Sequence, residues 1–146
     1  MTREELSRYR DEAKELKGIR NRIAQLENQL YDLHSPAMTG MPTAHSTEGG
    51  SSQERAADRA SEELDKLRVK YKRLETDLAV RCSAVEDAII SLPGRCRTVF
   101  RAYYLDGLTW EAIAWEYHWS FSTIARIKRR GYALLCKSDI EWQSNP

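Results

Sequence analysis

The chain has 146 residues, 41% apolar and 31% charged, with only two Phe and seven Gly, a bias that favours long helices and excludes one large all-round core. No run approaches the roughly eighteen apolar residues of a membrane span. The net charge of +1 hides an asymmetry, because residues 1–92 hold 15 Lys and Arg against 17 Asp and Glu, whereas residues 93–146 hold 8 against 5. Charge alone therefore does not identify a nucleic-acid binder, but it singles out the C-terminal part.

The chain opens on Met1-Thr-Arg-Glu-Glu5, polar and acidic, which predicts no signal peptide. Thr2 to Glu5 is a capping box: the hydroxyl accepts from the amide three residues on and the carboxylate reaches back. Behind it runs an apolar series, Leu6, Tyr9, Ala13, Leu16, Ile19, Ile23, Leu26, Leu30 and Leu33. The steps of three and four mark a heptad seam with one stammer at Leu16. The stripe is narrow and its flanks are charged, so a coiled-coil helix over residues 1–34 requires a partner helix.

Residues 35–52 hold two Pro, three Gly and many Ser and Thr, which predicts a flexible linker. Ser51-Ser-Gln-Glu54 then offers a second capping box. A second seam follows through Ala57, Ala60, Leu64, Leu67, Tyr71, Leu74, Leu78, Cys82, Val85, Ile89 and Leu92, with one stutter at Leu78. A second coiled-coil helix over residues 53–92 is expected to stop at Pro93-Gly94. At 1.5 Å per residue the two helices measure roughly 45 and 60 Å. They pair either as an antiparallel hairpin within one chain or between chains as a homodimer, and the spacing does not choose.

From Arg95 the helices become short, wide-striped and aromatic, as in a small domain over residues 93–137, followed by a tail over 138–146. A helix from Arg95 to Leu105 closes at Asp106-Gly107. Thr109 caps the next, Trp110 to Tyr117, with Glu111 in its first turn. His118-Trp119 turn the chain, and Ser120 caps a last helix from Phe121 to about Cys136. The fold class is therefore all-α: long coiled-coil helices followed by a small helix-turn-helix domain.

Ile113, Ala114, Trp119, Ile124 and Ile127 supply the inner positions that hold a helix-turn-helix at its steep angle, with small Ala114 at the close crossing. Leu134 and Leu135 continue that face toward Val99, Phe100 and Tyr103. Helical spacing then projects Ser122, Thr123 and Arg126 outward near the N-terminal end, where a recognition helix meets base edges, with Arg129 and Arg130 a turn further on and Lys128 at the margin. Arg126 is a candidate bidentate partner for guanine, and Phe121 for a thymine methyl. Ser120 and Thr109, at helix N-termini, suit phosphate.

Leu92-Pro93, Arg97-Thr-Val-Phe100, Tyr104, Gly107-Leu-Thr-Trp-Glu-Ala-Ile-Ala114, Ser120-Phe-Ser-Thr-Ile-Ala-Arg-Ile127 and Ala133-Leu-Leu together resemble region 4 of the sigma-70 family, over about a third of the chain. With a coiled coil ahead of it, the whole chain is similar to small phage transcriptional regulators of the RinA/ArpU type. The resemblance implies a sequence-specific DNA-binding regulator, a phage activator of late genes in the bacterial cytoplasm. Such a regulator binds double-stranded DNA through the major groove and acts with RNA polymerase. His118 stands where that family has Gly, in a turn that favours a left-handed backbone. Phe121 and Ala125 stand where sigma factors carry charged groove contacts, so a standard −35 element is not the expected site. No upstream segment matches the part of a sigma factor that binds the −10 element.

Two other readings fit the same architecture. One is the small subunit of a phage terminase, though the order of its parts is commonly the reverse. The other is a coiled-coil adaptor that binds polymerase without DNA. An enzyme is not expected: no Gly-rich phosphate loop or nucleophile elbow occurs, and acid pairs such as Glu62-Glu63 lie on exposed helix. His34, His45 and His118 stand apart from any acid or Cys cluster, so neither metal nor cofactor is expected. Cys82, Cys96 and Cys136 are odd in number and widely spaced, which reads as reduced thiols on helices. Trp110, Trp115 and Trp119 read as core, with Trp115 partly exposed.

Overall fold

A computed structural model describes residues 1–34 and 52–143, with side chains to Cys136. Most of the predicted linker, His45 and Ser51 included, lies outside the described residues. Five helices follow one another: α1 (Arg3–His34), α2 (Ser52–Ile90), α3 (Gly94–Tyr104), α4 (Trp110–Glu116) and α5 (Phe121–Gln143). The fold is all-α, and none of these helices is long and apolar enough to cross a membrane. The chain divides into two compact units. One contains Leu16–Leu74; the other joins Met1–Glu15 to the chain from Glu75 on.

In the unit of Leu16–Leu74, α1 and α2 pair within the chain and run antiparallel. Arg22 donates to Glu63 at 3.0 Å, and Gln53 donates to the Leu33 carbonyl at 3.2 Å. The partner on α2 thus falls from residue 63 to residue 53 as α1 advances from residue 22 to residue 33, which fixes the direction. Ile19, Leu26 and Leu64 are buried between the helices, and the remaining seam residues of this unit are half-buried. The exposed flanks carry Arg22–Glu63 at 3.0 Å and Arg68–Glu27 at 2.9 Å. Such exposed pairs add little stability and chiefly favour this register. The seam itself supplies the stability, at about 1.5–3 kcal/mol for each fully buried aliphatic side chain.

The other unit begins with the capping box as expected: Thr2 N–H donates to Glu5 at 2.7 Å, and Glu5 N–H donates to the Thr2 hydroxyl at 3.2 Å. Leu6 and Tyr9 of α1 and Leu78, Val85 and Ile89 of α2 are buried, and Leu92 after α2 is 1% exposed. Glu12 takes Arg8 at 3.0 Å and also pairs with Arg81 across the helices. Pro93, extended at φ −69°, is the N-cap of α3, so the helix begins at Gly94, one residue before the expected start.

Phe100 is the centre of the small domain. It is fully buried, with ring centroids of Tyr132, Tyr104 and Trp110 at 5.0, 5.8 and 6.5 Å. Val99, Ile113, Ile124, Ile127 and Leu135 complete the core, and Leu134 is half-buried. The Tyr104 and Tyr132 hydroxyls meet at 2.6 Å, and the Cys96 thiol faces the Ile127 carbonyl at 3.7 Å. Burial holds the Tyr104 phenol and the Cys96 thiol above their usual pKa values. Gly131 lets α5 approach α3: a Cβ there would fall 2.6 Å from Phe100 Cζ. The last helix continues to Gln143, beyond the expected end near Cys136 and into the predicted tail.

Candidate nucleic-acid interface

The α4–turn–α5 segment is built by two caps and one strained residue. Thr109, extended at φ −83°, accepts the Ala112 N–H at 3.2 Å and starts α4. The helix ends at Glu116, with Tyr117 as its C-cap, one residue sooner than expected. His118 then takes φ 53°, the left-handed conformation expected of this turn from the sequence. Its N–H donates to the Trp115 carbonyl at 3.2 Å, and Trp119 N–H donates to the Ala114 carbonyl at 2.9 Å. These are the two bonds of a Schellman motif, which ordinarily places Gly where His118 stands. A non-Gly residue in this region carries a cost of roughly 1–2 kcal/mol.

Ser120 starts α5, its hydroxyl accepting the Thr123 N–H at 3.2 Å. The same oxygen lies 2.9 Å from both the Ser122 and the Thr123 hydroxyls. Ser122 is exposed, but Thr123 is half-buried. Its expected role as an outward reader therefore gives way to one in the cap, because its hydroxyl is committed to Ser120.

Arg126, Arg129 and Arg130 are exposed, and none forms an ion pair among the described residues. Ser122, Arg126 and Arg129 share one face by their spacing, with Arg130 beside them. Residues 117–136 contain no Asp or Glu, so nothing on this stretch neutralises them. Phe121 is 65% exposed at the start of the helix. Thr109 is exposed too, with its hydroxyl hydrogen still available to an anion.

A column of stacked groups, not foreseen from the sequence, fixes Lys128. Arg10 of α1 lies 3.8 Å over the Tyr103 ring, Tyr103 stacks on Trp110 at 3.7 Å, and the Lys128 ammonium sits 4.6 Å from the Trp110 ring. Arg10 also donates to the carbonyls of Tyr103 and Leu108, both at 3.1 Å. The start of α1 is thereby bonded to the loop that leads into α4. Arg10 lies 93 residues from Tyr103 in the chain, and no local pattern marks it. Gly131 did carry a signal, since a helix-interior Gly is unfavourable by about 1 kcal/mol and calls for a packing reason.

Among the described residues no group of His, Cys, Asp and Glu is arranged to hold a metal ion. No family model, curated protein or solved structure matches the chain.

Proposed function

We propose that this chain is a sequence-specific DNA-binding transcription regulator that places α5 in the major groove. The observation that carries the reading is the exposed face of Ser122, Arg126, Arg129 and Arg130 on a capped helix, its cations without an ion pair among the described residues. Arg126 is the base reader and suits guanine; Phe121 adds an apolar contact to a thymine methyl. Arg129, Arg130, Ser120 and Thr109 contact phosphate and set the register. Thr123 acts indirectly, by holding Ser120 in place. The resemblance to sigma region 4 and to small phage regulators supports late-gene activation beside RNA polymerase as the setting.

Selection from random duplex DNA, followed by binding at several salt concentrations, tests the proposal. Arg126→Ala is expected to weaken the selected site by about 1–3 kcal/mol and to relax preference at one position. Arg129→Ala is expected to weaken all duplexes similarly and to lower the salt slope by about one. No salt-sensitive binding to any duplex would overturn the reading and favour an adaptor that binds only protein. The mass of the complex distinguishes one bound copy, a homodimer, and the larger ring expected of a terminase small subunit.

A further inference from the structure

We infer that α4 and the start of α5 form a second contact face, which receives an arginine or lysine side chain of a partner protein. Glu111, Ala114, Trp115, His118, Trp119 and Phe121 line an open pocket of about 240 Å³. Trp115 is 84% exposed, an unusual position for so large an apolar side chain. The pocket shares Phe121 with the proposed α5 contact to DNA, but the inference rests on Glu111 and Trp115, both on α4.

The chemistry of the lining selects the occupant. Indole faces attract cations through their quadrupole. Two tryptophans of this domain already do so internally: Lys128 lies over Trp110, and Arg95 lies 5.9 Å from the Trp119 ring centroid. Trp115 has no cation over its ring among the described residues. Glu111 is exposed and unpaired there, one helical turn before Trp115, and exposed Glu116 follows it. A carboxylate beside an open aromatic face complements a guanidinium or ammonium and repels the phosphates of DNA. Arginine fits best, because its planar group stacks on an indole while donating to a carboxylate.

The test titrates the full chain with N-acetyl-arginine methylamide, using the neutral citrulline analogue as the control, and follows the tryptophan indole N–H signals by NMR. Trp115→Ala identifies its signal and is expected to leave the fold intact, since the side chain is exposed. The expected result is a saturable shift of the Trp115 signal by the arginine probe, with half-saturation in the millimolar range, and none by citrulline. Glu111→Gln should raise the half-saturation concentration about fivefold. Equal shifts by both probes, or no saturable shift, would overturn the inference. Self-association that Trp115→Ala abolishes would overturn it in favour of a second copy as occupant. Weaker binding of Trp115→Ala to a selected duplex would overturn it in favour of DNA.

Discussion

Gly131→Ala places a methyl group against the most tightly held side chain of the small domain. The added Cβ would lie 2.6 Å from Phe100 Cζ and 3.2 Å from Cδ2, with Cε2 nearer still. Carbon atoms at rest are about 3.5–4.0 Å apart, so the ring must retreat by roughly 1 Å. It has little room, because Phe100 is fully buried and Tyr104, Trp110 and Tyr132 surround it. Overpacking of this kind is destabilising by about 1–3 kcal/mol, and the confinement of the ring argues for the upper end. Alanine recovers about 1 kcal/mol through its helix propensity. The net expectation is a loss of about 2 kcal/mol, or about 8–16 °C in Tm for a unit of this size. Gly18→Ala is the control: no atom lies within 4 Å of a Cβ built there, so it should stabilise α1 by about 0.5–1 kcal/mol. Thermal unfolding followed by circular dichroism measures both. A Gly131→Ala protein as stable as the parent would show that α5 does not approach α3 at Phe100.

Arg10→Ala removes two hydrogen bonds to carbonyls and the cation over Tyr103, and should lower stability by about 2 kcal/mol. Arg10→Lys should recover less than half of that loss in urea unfolding, because one ammonium does not reproduce the guanidinium fork; full recovery would contradict this role. His118→Gly relieves the left-handed backbone but adds chain entropy, so a net gain of about 0.5–1 kcal/mol is expected, and a fall in Tm would refute the strain argument. For Glu12, partial burial raises the carboxyl pKa, but hydrogen bonds from Arg81 and Arg8 outweigh it and leave the pKa lowered. A lowered folded-state pKa contributes stability that is present above the unfolded value of about 4.3 and lost as pH falls through the folded value. The Tm difference between the parent and Glu12→Gln should accordingly shrink as the pH falls below about 5; a constant difference would exclude the linkage.

The two seams were legible because a heptad repeat must bury the same face wherever its partner comes from. Every seam residue among those described is buried or half-buried, from Leu6 to Leu92. The α4–turn–α5 segment was legible for a similar reason: its caps, small Ala114 and the turn at His118 are local requirements of backbone geometry. Local rules also located the exposed face of α5, though not the withdrawal of Thr123 into the cap, which depends on where the Ser120 hydroxyl points. Whether the seams pair within or between chains was not legible, since both choices bury the same side chains; in the structure they pair within the chain. The column from Arg10 to Lys128 and the fit of Gly131 against Phe100 were decided by tertiary structure alone. Each depends on groups far apart in sequence meeting at short range, and no periodicity in the chain encodes that meeting.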